Sequence, residues 1–177
     1  MKNMTLENIA AVCGVYHGDP AKSKQEVTNI VIDSRKIEPG GLFIATKGER
    51  VDGHSFIGQV MEKGALAVVS EQELPDADFP YILVKDSFTA LKQIAAFYRR
   101  QLSVRVVGIT GSVGKTSTKE MIAGVLSAKY RVMKTEGNFN NEIGLPLTIL
   151  RIREEDEVAV LEMGISDFGE MSRLTQM

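Results

Sequence analysis

Residues 5–13 place apolar side chains at a helical spacing, with Thr5 ready to cap the first turn and Gly14 to stop the last. The apolar runs that follow are shorter and bounded by turn residues. VTNIVIDSR (27–35) and GLFIAT (41–46) are rich in β-branched and apolar residues and flank Glu38-Pro39-Gly40-Gly41, which predicts two strands around a turn. Ile57, Val60 and Met61 share one face of a helix predicted over 55–63 and closed by Gly64. ALAVVS and YILV read as compact buried strands, separated by the acidic, proline-bearing loop EQELPDADFP. Residues 87–100 read as a helix whose basic last turn suits the negative end of the helix dipole.

The pattern starts afresh near Val104. A strand over 105–110, a glycine loop, a helix over 115–126, a strand over 158–163 and a helix start near Gly169 alternate as a parallel sheet with crossover helices does. The fold class is therefore α/β, with a small α/β unit over 1–103 followed by the start of a parallel-sheet unit over 104–177. The final stretch, GEMSRLTQM, stops inside an apparent helix, and a sheet of two or three strands leaves apolar faces without crossover helices.

Composition narrows the classes. With 44% hydrophobic and 25% charged residues the chain can bury a core, and its net charge of -2 lacks the basic footprint of a general nucleic-acid binder. Any bound anion must be held locally. The single cysteine, Cys13, has no internal disulfide partner and sits in the apolar stretch IAAVCG, where an inert buried thiol is expected. The N-terminal MKNMTLENIAAVCG lacks the unbroken apolar core of a signal peptide, and no run approaches a membrane span. These features predict a cytoplasmic protein with neither a membrane nor a nucleic-acid partner.

Candidate chemistry concentrates in RVVGITGSVGKTSTKEMIA (105–123). Gly111 and Gly114 let the backbone bend so that successive N–H groups face a phosphate, and the helix beginning near Lys115 adds its positive end. Lys115 can reach terminal phosphates and the Thr116 hydroxyl can ligate magnesium, so Thr110, Gly111, Ser112, Val113, Gly114, Lys115, Thr116 and Ser117 form a predicted triphosphate cradle. The stretch departs from strict G-x-x-x-x-G-K-[ST] spacing, because position 109 is Ile and Gly108 lies one place early. Its plain alternative is a glycine-rich βα turn with a solvated lysine. At the tip of EVAVLEMG, Glu162 can hold Mg²⁺ directly or through water, or serve as a helix-start or edge carboxylate. Spacing does not choose between these.

ITGSVGKTSTKEM, EGNFNNEIGLPLTIL and AVLEMGISDFGEM, in that order, resemble the Mur ligases, and DSRKIEPGGLFIATKGERVDGHSFI with GALAVVSE resembles the N-terminal domain of that family's later amino-acid-adding members. The G-x-x-G-K-T loop is that of the family and accounts for the displaced glycine. The resemblance implies ATP-dependent amide formation in peptidoglycan precursor synthesis: a UDP-N-acetylmuramoyl peptide is activated as an acyl phosphate and attacked by the amine of D-alanyl-D-alanine. It implies ATP and Mg²⁺ as cofactors, Lys115 and Glu162 as catalytic residues, and Thr116 and Glu162 at the metal. Asn138, Asn140 and Asn141 are implied substrate contacts, Asn141 foremost, although turn or cap roles suit them too. Ser34, Arg35 and His54 are implied contacts to the UDP end; an Asp33–Arg35 ion pair and a helix-capping His54 are the plain readings. Family members continue with a longer central domain and a C-terminal domain, so residues 1–177 are expected to be an incomplete ligase without ligation activity. Alternatives are the member that adds the third peptide residue, and a nucleotide or nucleotide-sugar binding module without turnover.

Overall fold

The computed structural model describes residues 1–48, 51–165, 168–175 and 177. The chain forms two compact units, Met1–Ile94 and Ala95–Met177.

In the first unit, α1 (Leu6–Cys13) starts where Thr5 Oγ1 accepts the Asn8 amide at 3.2 Å, and it ends where the Gly14 amide donates to Ala10 O at 2.9 Å. Next come β1 (Val15–His17), β2 (Ile30–Val31) and β3 (Leu42–Ile44), then a single 3₁₀ turn (Gly53–Phe56) leading into α2 (Ile57–Glu62). β4 (Ala67–Ser70), β5 (Tyr81–Leu83) and α3 (Ser87–Gln101) follow, the boundary between the units falling inside α3. The sheet runs β1-β5-β4-β3-β2, with β2 to β5 parallel and β1 antiparallel at one edge. The β3 residues Leu42, Phe43 and Ile44 are all fully buried, and alternate residues of a strand face opposite sides. Both faces of this sheet are therefore covered, which is why its strands read as unbroken apolar runs.

The two strands expected around the Glu38–Gly41 turn form, with the Gly41 amide donating to Glu38 O at 2.9 Å, and they run parallel. A preceding turn at Asp33, closed by the Lys36 amide on Asp33 O at 2.9 Å, carries the chain off the sheet first, so β2 shrinks to two residues. The helix expected over 55–63 starts earlier, because Asp52 Oδ1 accepts the His54 amide at 2.9 Å and begins the 3₁₀ turn.

The second unit contains β6 (Arg105–Ile109), α4 (Lys115–Ser127), β7 (Val132–Lys134), α5 (Gly144–Ile149), β8 (Val158–Glu162) and α6 (Glu170–Leu174). Its three strands are parallel in the order β6-β8-β7. The crossover through α4 skips a place that β8 later fills, so the carboxyl ends of β6 and β7 flank that of β8, the position where open α/β sheets bind ligands. β8 is buried throughout, whereas Val106 on β6 is 41% exposed. Ala123 of α4 joins Ile109, Val158 and Val160 in the core of this unit.

Candidate functional site

The glycine loop leaves the carboxyl end of β6. Gly111 has φ +148° and Gly114 has φ +76°, backbone conformations that side chains with a Cβ rarely adopt. Nothing lies within 4 Å of where a Cβ on Gly114 would sit, so its glycine serves the bend and not a close contact. Thr110, Gly111, Ser112, Val113, Gly114 and Ser117 are exposed around this loop. No side chain caps the N-terminus of α4, so its first N–H groups and the positive end of the helix dipole are open to an anion. Lys115 Nζ donates to Gly111 O at 2.8 Å, bending the ammonium back over the loop.

β8 delivers Glu162 to the same end of the sheet, where it is 2% exposed. The Thr116 hydroxyl lies 3.1 Å from Glu162 Oε2 and 3.3 Å from Oε1 and donates to the carboxylate. Asn140 Nδ2 donates to Oε1 at 2.8 Å, while Thr135 Oγ1, just past β7, accepts the Glu162 amide at 2.9 Å. Lys119 Nζ is 3.6 Å from Oε2. Glu162 thus ends the central strand, and neither a helix start nor a sheet edge describes it. Gly164 packs against Asn140, whose carbonyl accepts the Gly164 amide at 2.7 Å, and this links the chain after β8 to the asparagine loop.

Of the three predicted asparagines, the structure brings Asn140 to the carboxylate. Asn141 is exposed and caps α5 instead, its Oδ1 accepting the Gly144 amide at 2.8 Å and the Ile143 amide at 3.2 Å. Asn138 is exposed, and its carbonyl accepts the Asn140 amide at 2.8 Å. Lys119 and Thr135 were not singled out by sequence reasoning. Lys119 carried a signal, since a lysine one turn after Lys115 falls on the helix face shared with the core residue Ala123.

In the first unit, Arg35 lays its guanidinium on Asp33, Nε to Oδ1 at 2.9 Å and Nη2 to Oδ2 at 2.8 Å. That hydrogen-bonded guanidinium lowers the Asp33 carboxyl from 3.8 to about 2 and raises Arg35. The pair stays solvent-facing, since the Arg35 side chain is 84% exposed, and Ser34 O accepts Lys63 Nζ at 3.0 Å. His54 has both ring nitrogens engaged, Nδ1 with Asp52 Oδ1 at 2.6 Å and Nε2 with the Glu71 amide at 3.1 Å. Bonds from His54, its amide first and then its ring, hold the Asp52 carboxyl below its ordinary range. Cys13 donates its thiol to Ile9 O at 3.1 Å, and burial pushes that thiol up to about 12, a thiol rather than a thiolate at neutral pH.

A glycine loop opening an uncapped helix, beside a buried carboxylate at the end of the adjacent parallel strand, is the arrangement of proteins of the P-loop type. Residues 109–177 match the Mur ligase middle domain and residues 26–99 match the Mur ligase family catalytic domain. The chain belongs to the Mur ligase family. It is 46% identical to the UDP-N-acetylmuramoyl-tripeptide–D-alanyl-D-alanine ligase of Bacillus subtilis, over 100% of this chain and 39% of that protein. The MurF crystal structure from Acinetobacter baumannii superposes with a TM-score of 0.87 at 36% identity, over 97% of this chain and 38% of that one. MurF ligase from Thermotoga maritima, solved in complex with ADP, gives a TM-score of 0.75 at 40% identity, over 84% of this chain and 34% of that one. The chain therefore spans about two fifths of the length of the relatives it matches.

Proposed function

We propose that this chain carries the UDP-substrate and ATP-binding parts of a ligase that joins D-alanyl-D-alanine to UDP-N-acetylmuramoyl-tripeptide in the cytoplasm. The relatives' names support the reaction, and among the described residues no helix is long and apolar enough to cross a membrane. The observation that carries the reading is the uncapped start of α4, with Lys115 folded over its loop and Thr116 on a buried carboxylate.

These residues fit a nucleotide and its metal. Gly111 and Gly114 hold backbone shapes that leave the loop open to phosphate oxygens, and the Thr116 hydroxyl and Glu162 carboxylate are hard oxygen donors. Mg²⁺ takes few protein oxygens and keeps waters and substrate phosphates as its other ligands. When bound, ATP and Mg²⁺ supply the phosphoryl group and the charge neutralisation that activate a terminal carboxylate as an acyl phosphate.

The chain's own residues position and neutralise. Lys115, held over the loop by the Gly111 carbonyl, places a positive charge where phosphate charge gathers, a contribution that counts most when it is fixed beforehand. Glu162 is held in one orientation by Thr116 and Asn140, and its backbone is pinned by Thr135. Asn140, bonded to Glu162, would sense what binds beside that carboxylate, with Asn138 and Asn141 exposed nearby in the chain as further substrate contacts. In the first unit, Ser34 and Arg35 lie on the turn after β2 and offer a hydroxyl and an exposed guanidinium to the UDP end of the substrate. His54 shapes that region from the 3₁₀ turn after β3.

Calorimetry of MgATP binding to the intact protein tests the reading. Lys115→Ala should weaken binding about 10- to 100-fold, since a charge-assisted hydrogen bond is worth roughly 1.5–3 kcal/mol. Unchanged affinity in that variant would remove the phosphate-loop assignment.

A further inference from the structure

Lys119 is a lysine where packing alone calls for an apolar residue. Its side chain is 1% exposed on the face of α4 that also buries Ala123. Its ammonium lies 3.6 Å from Glu162 Oε2 and 3.4 Å from Glu120 Oε1, and Glu120 is also paired with Lys134 of β7. Two ammonium groups and two carboxylates sum to zero charge. Burying such a group costs stability unless it is paired, and an apolar side chain would fill the same space without that cost.

The charge balance bears on metal binding. Glu162 is the buried carboxylate beside Thr116, and the other two groups on it, the Thr116 hydroxyl and the Asn140 amide, are neutral. A divalent cation approaching Glu162 from water thus meets a carboxylate already neutralised by a fixed ammonium, in a buried setting that salt screens poorly. Phosphate oxygens would supply the missing negative charge. We propose that Lys119 acts as an internal counter-ion that keeps the Glu162 pocket from taking up a divalent cation until nucleotide phosphates arrive, making metal binding depend on nucleotide. This rests on the nucleotide reading above.

The test uses Mn²⁺ as the probe, titrated into the intact protein without nucleotide and followed by electron paramagnetic resonance. Lys119→Met should bind Mn²⁺ at least about tenfold more tightly than the wild type, because a like charge a few ångströms away has been removed. Lys119→Gln, polar but uncharged, should do the same, and adding Glu162→Gln to either variant should abolish the gain. Circular dichroism on each variant reports its folding. If neither folded variant gains affinity, or if the gain survives Glu162→Gln, the proposal is overturned while the nucleotide reading stands. MgATP binding by the wild type, measured in parallel, tests that reading separately; its absence overturns both.

Discussion

His54, an implied substrate contact, also anchors the fold through both of its ring nitrogens. The Glu71 amide can only donate, so Nε2 must accept; the ring proton therefore sits on Nδ1 and is given to Asp52 at 2.6 Å. With its side chain only 8% exposed, the imidazole ties the 3₁₀ turn after β3 to the chain end of β4. His54→Ala leaves the Glu71 amide without its acceptor, while Asp52 keeps the bond from the amide of residue 54, and should lower stability by about 1–3 kcal/mol in urea unfolding. Full stability with lost affinity for a UDP-muramoyl peptide would instead make His54 a substrate contact. The tripeptide Asp52-Gly53-His54 is visible in the sequence; Glu71 as the second partner is not, because it follows β4, well beyond the 3₁₀ turn in the chain.

Among the elements, α4 and its loop were legible because glycines, Lys115 and Thr116 follow one another without interruption. α5 is legible as an apolar helix after the asparagine loop, but its start depends on a residue outside the helix. Ile143, at the position before the first turn, has no side chain that can cap, so Asn141 reaches forward to the Gly144 and Ile143 amides. Asn141→Ala should therefore cost about 1 kcal/mol in thermal unfolding, the usual worth of a helix cap. No change in the transition would mean that the cap is dispensable. β1 and β7 escaped the sequence reading because neither is a buried apolar run: their residues are exposed or half-buried, and each carries a polar or charged residue. β7 also carries Lys134, which serves Glu120 rather than a core.

For the molecule as a whole, the two units differ in how fully their sheets are covered. In the first, consecutive residues of β3 and β4 are buried on both faces, with Leu91 and Ile94 of α3 equally buried. Residues 1–101, which keep α3 whole, should therefore fold alone and unfold cooperatively in urea; a broad transition without near-ultraviolet dichroism would show otherwise. In the second unit, Val106 on β6 and Met121 and Val125 on α4 remain exposed, so its surface is not that of a closed core. The sequence by itself determined the α/β class, the glycine loop, the capped start of α1 and the Lys115-Thr116 pair, because each depends on neighbours a few residues apart. Only the tertiary structure decided that β8 inserts between β6 and β7, bringing Thr116, Thr135, Asn140 and Lys119 around Glu162. Strand order is set by which apolar faces can be buried together, a property of the whole sheet that no local pattern encodes.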